Sequence, residues 1–458
     1  MILVIAIVLL VVGSVIFHFV SPWNFTPLAS NWSAIDNTIS ITVLITGIVF
    51  ILVNLFMAYA IYRFRYRKDR KADYEPENKK LEIWLTGITT VGIAALLAPG
   101  LFAWSSFISK PDDAKMVEVV GKQWHWLYRF PGDDGVLGAT DPRFVNPDNP
   151  FGIDPSDPAG QDDILVFSNI LHLPVNEPYE FKMRAMDVLH NFGVPHFRAK
   201  MDMVPGMVTS MWLEPTRVGN FEVVCMQLCG MGHHAMRGRV VVQEPEDFEQ
   251  WLAHQPTFAE SMEENHWGNP ENGEALYQTC AGCHGTAGEG NPALNAPKLS
   301  GMSNQYLIRQ LEYYRDGVRG AHEDDALGQQ MAGMMVTLPD EQAIRDVSAY
   351  LSTLPDRPAA NSIEGDLSRG EQYYASCADC HGASGEGNYY TRAPRLAGQL
   401  DTYLVRQIEN FKSGVRGSHE QDQYGMQMRL FAQRVQTEQQ INDLVAYINS
   451  LEPDSDSD

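Results

Sequence analysis

Basic residues are scarce in this 458-residue chain: 34 Lys and Arg stand against 57 Asp and Glu, a net charge of −23. The deficit is uneven, because residues 1 to 110 hold nine bases and six acids, leaving 25 bases against 51 acids downstream. An acidic region of this kind repels phosphate, which excludes nucleic acid as a partner. It favours a basic protein partner, with a salt-dependent on-rate. Histidine is missing from the first part of the chain, where His18 is the only one before residue 125. The apolar N-terminal segments therefore cannot gather the imidazoles of a metal cluster. No hydrolytic triad or phosphate-binding loop is recognisable. The N-terminus has neither a basic n-region nor a clear A-x-A cleavage site, so an uncleaved first helix is expected rather than a signal peptide.

What the chain does have is length for about three domains and three long apolar runs near its start. These cover Met1 to Val20, about Ile39 to Ile61, and about Leu81 to Trp104, each near the roughly 20 residues that cross a hydrocarbon core as a helix. Between the second and third lies a segment, 63–80, with eight Lys or Arg. By the positive-inside rule this loop is cytoplasmic, and everything after Trp104 is outside. Trp23, Trp32, Trp84 and Trp104 fall where interfacial aromatic anchors are expected. Residues 1–110 thus read as a membrane anchor.

The remainder divides into two unlike halves. Residues 111–250 carry short β-rich runs bounded by Pro, Gly and Asn, as in a small sandwich or barrel. Within them, 131–163 is a long Asp/Pro/Gly insertion that reads as a solvated loop; a calcium site is disfavoured because the EF-hand spacing is missing. The second half reads as helices with Gly-rich loops, and it repeats itself. GEALYQTCAGCHG (273–285) recurs as GEQYYASCADCHG (370–382), and NQYLIRQLEYYRDGVRG (304–320) as DTYLVRQIENFKSGVRG (401–417), both at an offset of 97 without a gap. Two copies of one helical module are expected, over 266–355 and 362–451. The acidic tail 452–458 is expected to be disordered.

All six cysteines fall in motifs. Cys280-Ala-Gly-Cys283-His284 and Cys377-Ala-Asp-Cys380-His381 have the C-x-x-C-H spacing that attaches haem through two thioethers and offers the next histidine to the iron. A thioredoxin-type pair needs no such histidine, and two copies in register leave little room for chance. The third pair lies in C-x3-C-x3-H-x2-M: Cys225, Cys229, His233 and Met236. Thiolates, imidazole and thioether suit copper, and two cysteines one short loop apart can bridge two copper ions. The second copper then needs a histidine from elsewhere. A Cys225–Cys229 disulfide is the alternative, but it leaves the His and Met spacing unexplained.

With these motifs in place, nearly the whole chain resembles subunit II of the haem-copper oxidases, whose dinuclear CuA centre uses this cysteine motif, here with a fused dihaem cytochrome c tail. The resemblance implies a multidomain fold: N-terminal transmembrane α-helices, a β-sandwich or barrel cupredoxin domain, and two all-α class I cytochrome c domains. DVLHNFGVPHFRAKMDMVPG resembles the family's upstream ligand segment, which makes His190 the second CuA imidazole beside His233. Cys225 and Cys229 bridge, Met236 is axial, and Gln227 donates its backbone carbonyl; His196 and His234 are structural. Many members carry Glu at the position of Gln227, where it helps bind magnesium facing subunit I. An amide cannot supply the charge a hard cation prefers, so the resemblance implies the carbonyl role and leaves the magnesium open. GKQWHWLYRF resembles the family's aromatic segment, making Trp124, with Trp126 beside it, the point of electron input; the alternatives are that both tryptophans are core residues of the sandwich, or that the attached cytochrome c bypasses this entry. Glu82, in LEIW, resembles a carboxylate at the mouth of a proton channel; a snorkelling or solvated group at a helix end is the plainer alternative.

The resemblance further implies a bacterial cytoplasmic membrane with the redox domains on the periplasmic face. It also implies subunits I and III as partners, a basic cytochrome c or similar donor, and membership of a proton-translocating oxidase. Because the apolar membrane segments hold no His cluster for an oxygen-reducing site, that site is expected on subunit I. A related reductase of nitric oxide using the same CuA module, or a membrane-tethered electron shuttle, remain as alternatives; copper delivery is disfavoured because the motif encloses its metal. For the sixth haem ligand the repeat is informative. Met302 maps to Gln399, Met334 to Phe431 and Met335 to Ala432, whereas Met331 maps to Met428. That pair is expected to ligate iron, and Met426, which maps back to Gln329, to pack. His322 and His419 also recur at the offset, but in polar segments expected at the surface, and His/Met ligation gives the higher potential.

Overall fold

The structure, a computed structural model, describes residues 1–21, 26–71, 76–146, 148–263, 267–359, 362–388 and 391–451. The expected anchor Trp23 and the tail 452–458 lie outside the described residues. Three helices are long and apolar enough to cross a membrane: α1 (Ile2–Val20), α2 (Ser33–Arg63) and α3 (Lys79–Ile108). Their large side chains, Phe56 and Phe102 among them, point outward without protein cover. A helix of a water-soluble domain would hide such a stripe. Asn78 starts α3 by accepting the Leu81 N–H at 3.1 Å. Glu82 sits exposed in the first turn, where the helix dipole favours an acid. Trp84 and Trp104 are exposed on α3.

Trp32 departs from expectation. It is 3% exposed, packed 4.9 Å from Trp212 and 5.2 Å from Phe107, with its indole N–H donating to the Trp212 carbonyl. The chain before α2 is tied to the β domain by Ala29 N–H to His196 carbonyl and Ser30 hydroxyl to Phe197 carbonyl. Trp32 is thereby drawn into a protein core rather than the membrane interface.

The β domain has ten strands: β1 (Lys115–Lys122), β2 (His125–Phe130), β3 (Ile164–Val166), β4 (Ile170–Pro174), β5 (Tyr179–Ala185), β6 (His190–Val194), β7 (Ala199–Met203), β8 (Thr209–Leu213), β9 (Gly219–Cys225) and β10 (Arg237–Gln243). They form two five-stranded sheets, ordered β3-β2-β1-β5-β8 and β4-β10-β9-β6-β7. Trp126, Tyr128 and Phe130 alternate inward from β2 and meet Phe181, Phe192 and Phe221 in the shared core. The opposite face of β2 is covered too. Leu127 packs with Phe151 and Ile153 of the 131–163 insertion, and Arg129 is held by Glu118 and Asp163, each at 2.7 Å. The insertion is therefore not wholly a solvated loop: Asn149 bonds both backbone groups of Ile153 and folds two apolar side chains onto the sheet. Past residue 244, α4 (Pro245–Ala253) and α5 (Phe258–Ser261) also pack here through Phe248 and Phe258. The β unit so extends beyond the expected limit at 250.

Two helical modules follow, the first built from α6 (Pro270–His284), α7 (Asn304–Arg315), α8 (Ala326–Met334) and α9 (Glu341–Thr353). The second is built from α10 (Leu367–His381), α11 (Asp401–Ser413), α12 (Gln423–Ala432) and α13 (Glu438–Ser450). The repeat is visible in the packing. α6 crosses α9, and α10 crosses α13, at glycines so close to the partner that an added Cβ would lie 2.0 Å from the Asp346 carbonyl oxygen at Gly273 and 2.2 Å from that of Asp443 at Gly370. Tyr277 packs against Tyr350 and Tyr374 against Tyr447 with tilted rings, the centroids of each pair 5.6 Å apart. The modules join about a pseudo-two-fold axis: Arg319 and Arg416 each bond both Gln310 and Gln407, at 2.7 to 3.1 Å.

The glycine crossings set a stability test. Gly370→Val forces α10 away from α13 and should destabilise the second module by about 1–3 kcal/mol, whereas Gly333→Ala, with open space around its Cβ, should not. Thermal unfolding followed at the haem absorbance checks both, and equal midpoints would refute the close crossing.

Candidate metal centre and haem clefts

Pairing of β6 with β9 places Phe192 opposite Cys225, and this register brings His190 to a cysteine 35 positions away in sequence. Beyond β9 the chain loops out and returns, with the Cys225 N–H bonded to the Met236 carbonyl at 3.1 Å. The two sulfurs lie 3.7 Å apart, so the pair is not a disulfide. Around Cys229, the His233 Nδ1 is at 3.6 Å and the Met236 sulfur at 3.8 Å. The Gln227 carbonyl oxygen is 3.2 Å from the Cys225 sulfur, while its side chain is exposed. The ligand atoms of His190, Cys225 and Cys229 lie within 4.8 Å of one another, and all three residues are buried.

The electrostatics suit a cation. Asp187 accepts from His190 Nε2 at 2.7 Å, which fixes the tautomer and leaves Nδ1, buried without a hydrogen-bond partner, facing the sulfurs. Burial opposes a charged imidazole, but Asp187 and Cys225 outweigh it and hold the His190 pKa above its ordinary value. The thiols act as a pair. The hydrogen bond between them is the largest cause of both shifts, lowering Cys225 and raising Cys229. An orphaned imidazole nitrogen aimed at two close thiols is a donor set awaiting a soft cation. Asp187 escaped the sequence reading, although its position three residues before His190 was the available signal. Gln123 escaped as well: its side-chain amide and the Trp124 indole N–H both donate to the Cys229 carbonyl, at 2.8 and 3.0 Å.

Each C-x-x-C-H motif ends a helix, α6 or α10. His284 Nδ1 bonds the Pro297 carbonyl at 2.9 Å and His381 Nδ1 the Pro394 carbonyl at 2.7 Å, which aims Nε2 away from the backbone. Burial lowers both histidine pKa values, which favours the neutral ring that an iron ligand needs. One mainly apolar cavity runs through both modules, lined by the four cysteines, both histidines, Met331 and Met428. Met426, His322 and His419 are not among its lining residues. The cavity reaches the β domain at Trp124 and Ala235. Trp124 is 5% exposed, lying between the loop that follows Cys225 and α12, with Phe431 6.4 Å away and Gln427 donating to its carbonyl at 3.0 Å.

The family described as Cytochrome C oxidase subunit II, periplasmic domain, matches residues 115–244, and Cytochrome c matches 270–355 and 367–452. The alternative cytochrome c oxidase subunit 2 of Bradyrhizobium diazoefficiens is 53% identical over 253 residues, 55% of this chain and 91% of that protein. The chain belongs to the cytochrome c oxidase subunit 2 family. A cytochrome c oxidase subunit 2 of Alkalihalophilus pseudofirmus is 26% identical over 333 residues, covering 70% of this chain and 86% of that one. Among solved structures, cytochrome c4 from Pseudomonas stutzeri aligns with 40% of this chain and 100% of its own, at 28% identity and a TM-score of 0.34. As a subunit 2 with two cytochrome c domains, the chain is a membrane-anchored electron-transfer protein with a periplasmic face, CuA and two covalent haems c.

The hydrogen bond from His190 lets Asp187 hold that imidazole with its other nitrogen toward the thiols. Asp187→Ala should weaken copper binding about 10- to 100-fold, as read by competition with a chelator. An unchanged affinity would remove Asp187 from the centre.

Proposed function

We propose that this chain is the electron-input subunit, subunit II, of a proton-translocating terminal oxidase in a bacterial cytoplasmic membrane, which it crosses three times. It takes electrons from an external basic cytochrome c or similar donor and delivers them to the oxygen-reducing site of subunit I, with subunit III as a further partner. When bound, haem c and CuA supply one-electron carriage. Cys225, Cys229, His190, His233, Met236 and the Gln227 carbonyl would hold the copper pair. Cys280, Cys283, His284 and Met331 would hold the first haem; Cys377, Cys380, His381 and Met428 would hold the second.

The observation that carries this reading is the contact of the second cytochrome module with the copper loop through Trp124: Phe431 lies on one side of the indole, and the indole N–H bonds Cys229 on the other. One chain so joins a haem cleft to a copper donor set, through Trp124 and through the contact of Phe431 with His234 at 5.8 Å. Two further features support a partner in the membrane. The copper loop exposes Met226, Leu228 and Met231 around Gln227, an apolar surface suited to cover by subunit I. Glu82 lies at the basic, cytoplasmic end of α3, where a carboxylate can take up protons for a channel in the partner.

Cys229→Ser should abolish the copper EPR signal while both haems stay attached and absorb normally; an intact copper signal would sink the ligand assignment. The sulfur-to-iron charge-transfer band at the red end of the oxidised spectrum tests the axial ligands. It should fall by about half in Met331→His or Met428→His, one of two sites being lost, and vanish in the double variant. Its absence from the unmodified protein, with a haem perturbed by His322→Ala, would assign histidine instead.

A further inference from the structure

The two modules share a fold and differ in what covers them. In the second, one face is pressed against the β domain: Cys380 packs on its core, Phe431 lies 6.4 Å from Trp124 and 5.8 Å from His234, and Tyr424 stacks on His125 at 5.2 Å. Moving back by 97 residues turns Cys380 into Cys283, Thr391 into Leu294, Phe431 into Met334 and Gln433 into Val336. In the first module that face is open: Cys283 is exposed, and Leu294, Met334 and Val336 are 50%, 36% and 86% exposed. Leu294 and Met334 line the cleft that holds Cys283, and Val336 follows two residues after Met334; apolar side chains exposed there in one copy, where the other copy docks on a redox domain, are a docking face without its partner.

Charge indicates the partner. Residues 266–355 contain 11 Asp or Glu and five Lys or Arg. Two of those five, Lys298 and Arg319, are buried at the junction between modules, where Lys298 pairs with Asp356 and Arg319 bonds Gln310 and Gln407. The first module is therefore net acidic, while the β-domain face over Trp124 is occupied by α12.

We propose that the face of the first module formed by Leu294, Met334 and Val336 around Cys283 receives the external donor, a basic soluble redox protein, and that the Trp124 face is closed to it. This rests on the electron-input role proposed above and adds where the electrons arrive. The transfer oxidises the donor by one electron and reduces the first module by that same electron, with no bond made or broken at the contact.

The test uses the full chain in its membrane complex and a lysine-rich mitochondrial-type cytochrome c as the probe. Val336→Lys, a change at a side chain that packs on nothing, should raise the probe's Kd about tenfold by like-charge repulsion. Gln433→Lys, the matching change on the covered module, should leave it unchanged. Carbodiimide cross-links from probe lysines should map to acids of residues 266–355, and should fade as salt shortens the Debye length. A wild-type complex that does not bind the probe, a Kd unmoved by Val336→Lys, or cross-links concentrated on the β domain would each overturn the proposal. Oxygen consumption driven by a small reductant is a separate measurement: its failure in the wild type refutes the oxidase role, and its persistence in Val336→Lys shows that only docking has changed.

Discussion

Two thiols held 3.7 Å apart and unbonded set the terms for the β domain. A disulfide would draw them to about 2 Å, and an oxidising compartment favours that bond. Keeping the pair open needs restraint on each partner separately. Cys225 ends a central strand, paired with β6 and tied back to Met236. Cys229 is held by its carbonyl, which accepts from both Gln123 and Trp124 at the β1–β2 turn. The two cysteines are thus anchored to different sheets, and the sandwich that packs those sheets also spaces the sulfurs. His190 and its Asp187 partner ride on the same strand pairing, so the donor set is a product of the fold's register rather than of one loop.

The same Trp124 links this centre to the cytochrome modules. Its indole N–H is committed to the copper loop, its carbonyl accepts from Gln427, and its ring meets Phe431. Fusion makes this contact intramolecular, so its occupancy depends on linker geometry and not on the concentration of a free partner. Arg239 with Glu420 and the Arg392 guanidinium over Phe167 flank it. Polar contacts at the rim of an aromatic centre fix orientation more than they add affinity.

Much of this was legible in the residues themselves. C-x-x-C-H and C-x3-C-x3-H-x2-M declare their metals because ligand spacing is local chemistry, and the offset of 97 declares two modules because a duplicated core keeps its crossings, as Gly273 and Gly370 do. His190 could be named only through resemblance, since nothing local ties it to Cys225 until β6 and β9 pair. Trp32 was misjudged because burial against Trp212, 180 residues away, has no sequence signature. The insertion was misjudged for a related reason: among so many Asp, Pro and Gly residues, Phe151 and Ile153 look incidental until Asn149 turns them onto β2. Docking of α12 on Trp124 was illegible for the same cause, being a meeting of two domains each complete in its own pattern.

Duplication preserves interiors and releases surfaces, and the divergence between the modules follows that rule. The helix crossings, the Tyr–Tyr contacts and the Arg–Gln exchange recur in both copies, because each is packed on all sides and a change in one partner strands the other. The faces beside the second cysteine of each motif have gone different ways. The covered copy carries Phe431, a rigid ring whose fixed geometry suits a permanent contact with Trp124 and His234. The open copy carries Met334 at the same place, a flexible and polarizable chain able to fit more than one approach. A contact that must form and release at every turnover is better served by an adaptable surface with electrostatic attraction at its edges than by tight complementarity, because slow release would limit the flow of electrons. The first module leaves its apolar side chains exposed, and the second has covered the corresponding face in becoming part of the β domain's surface.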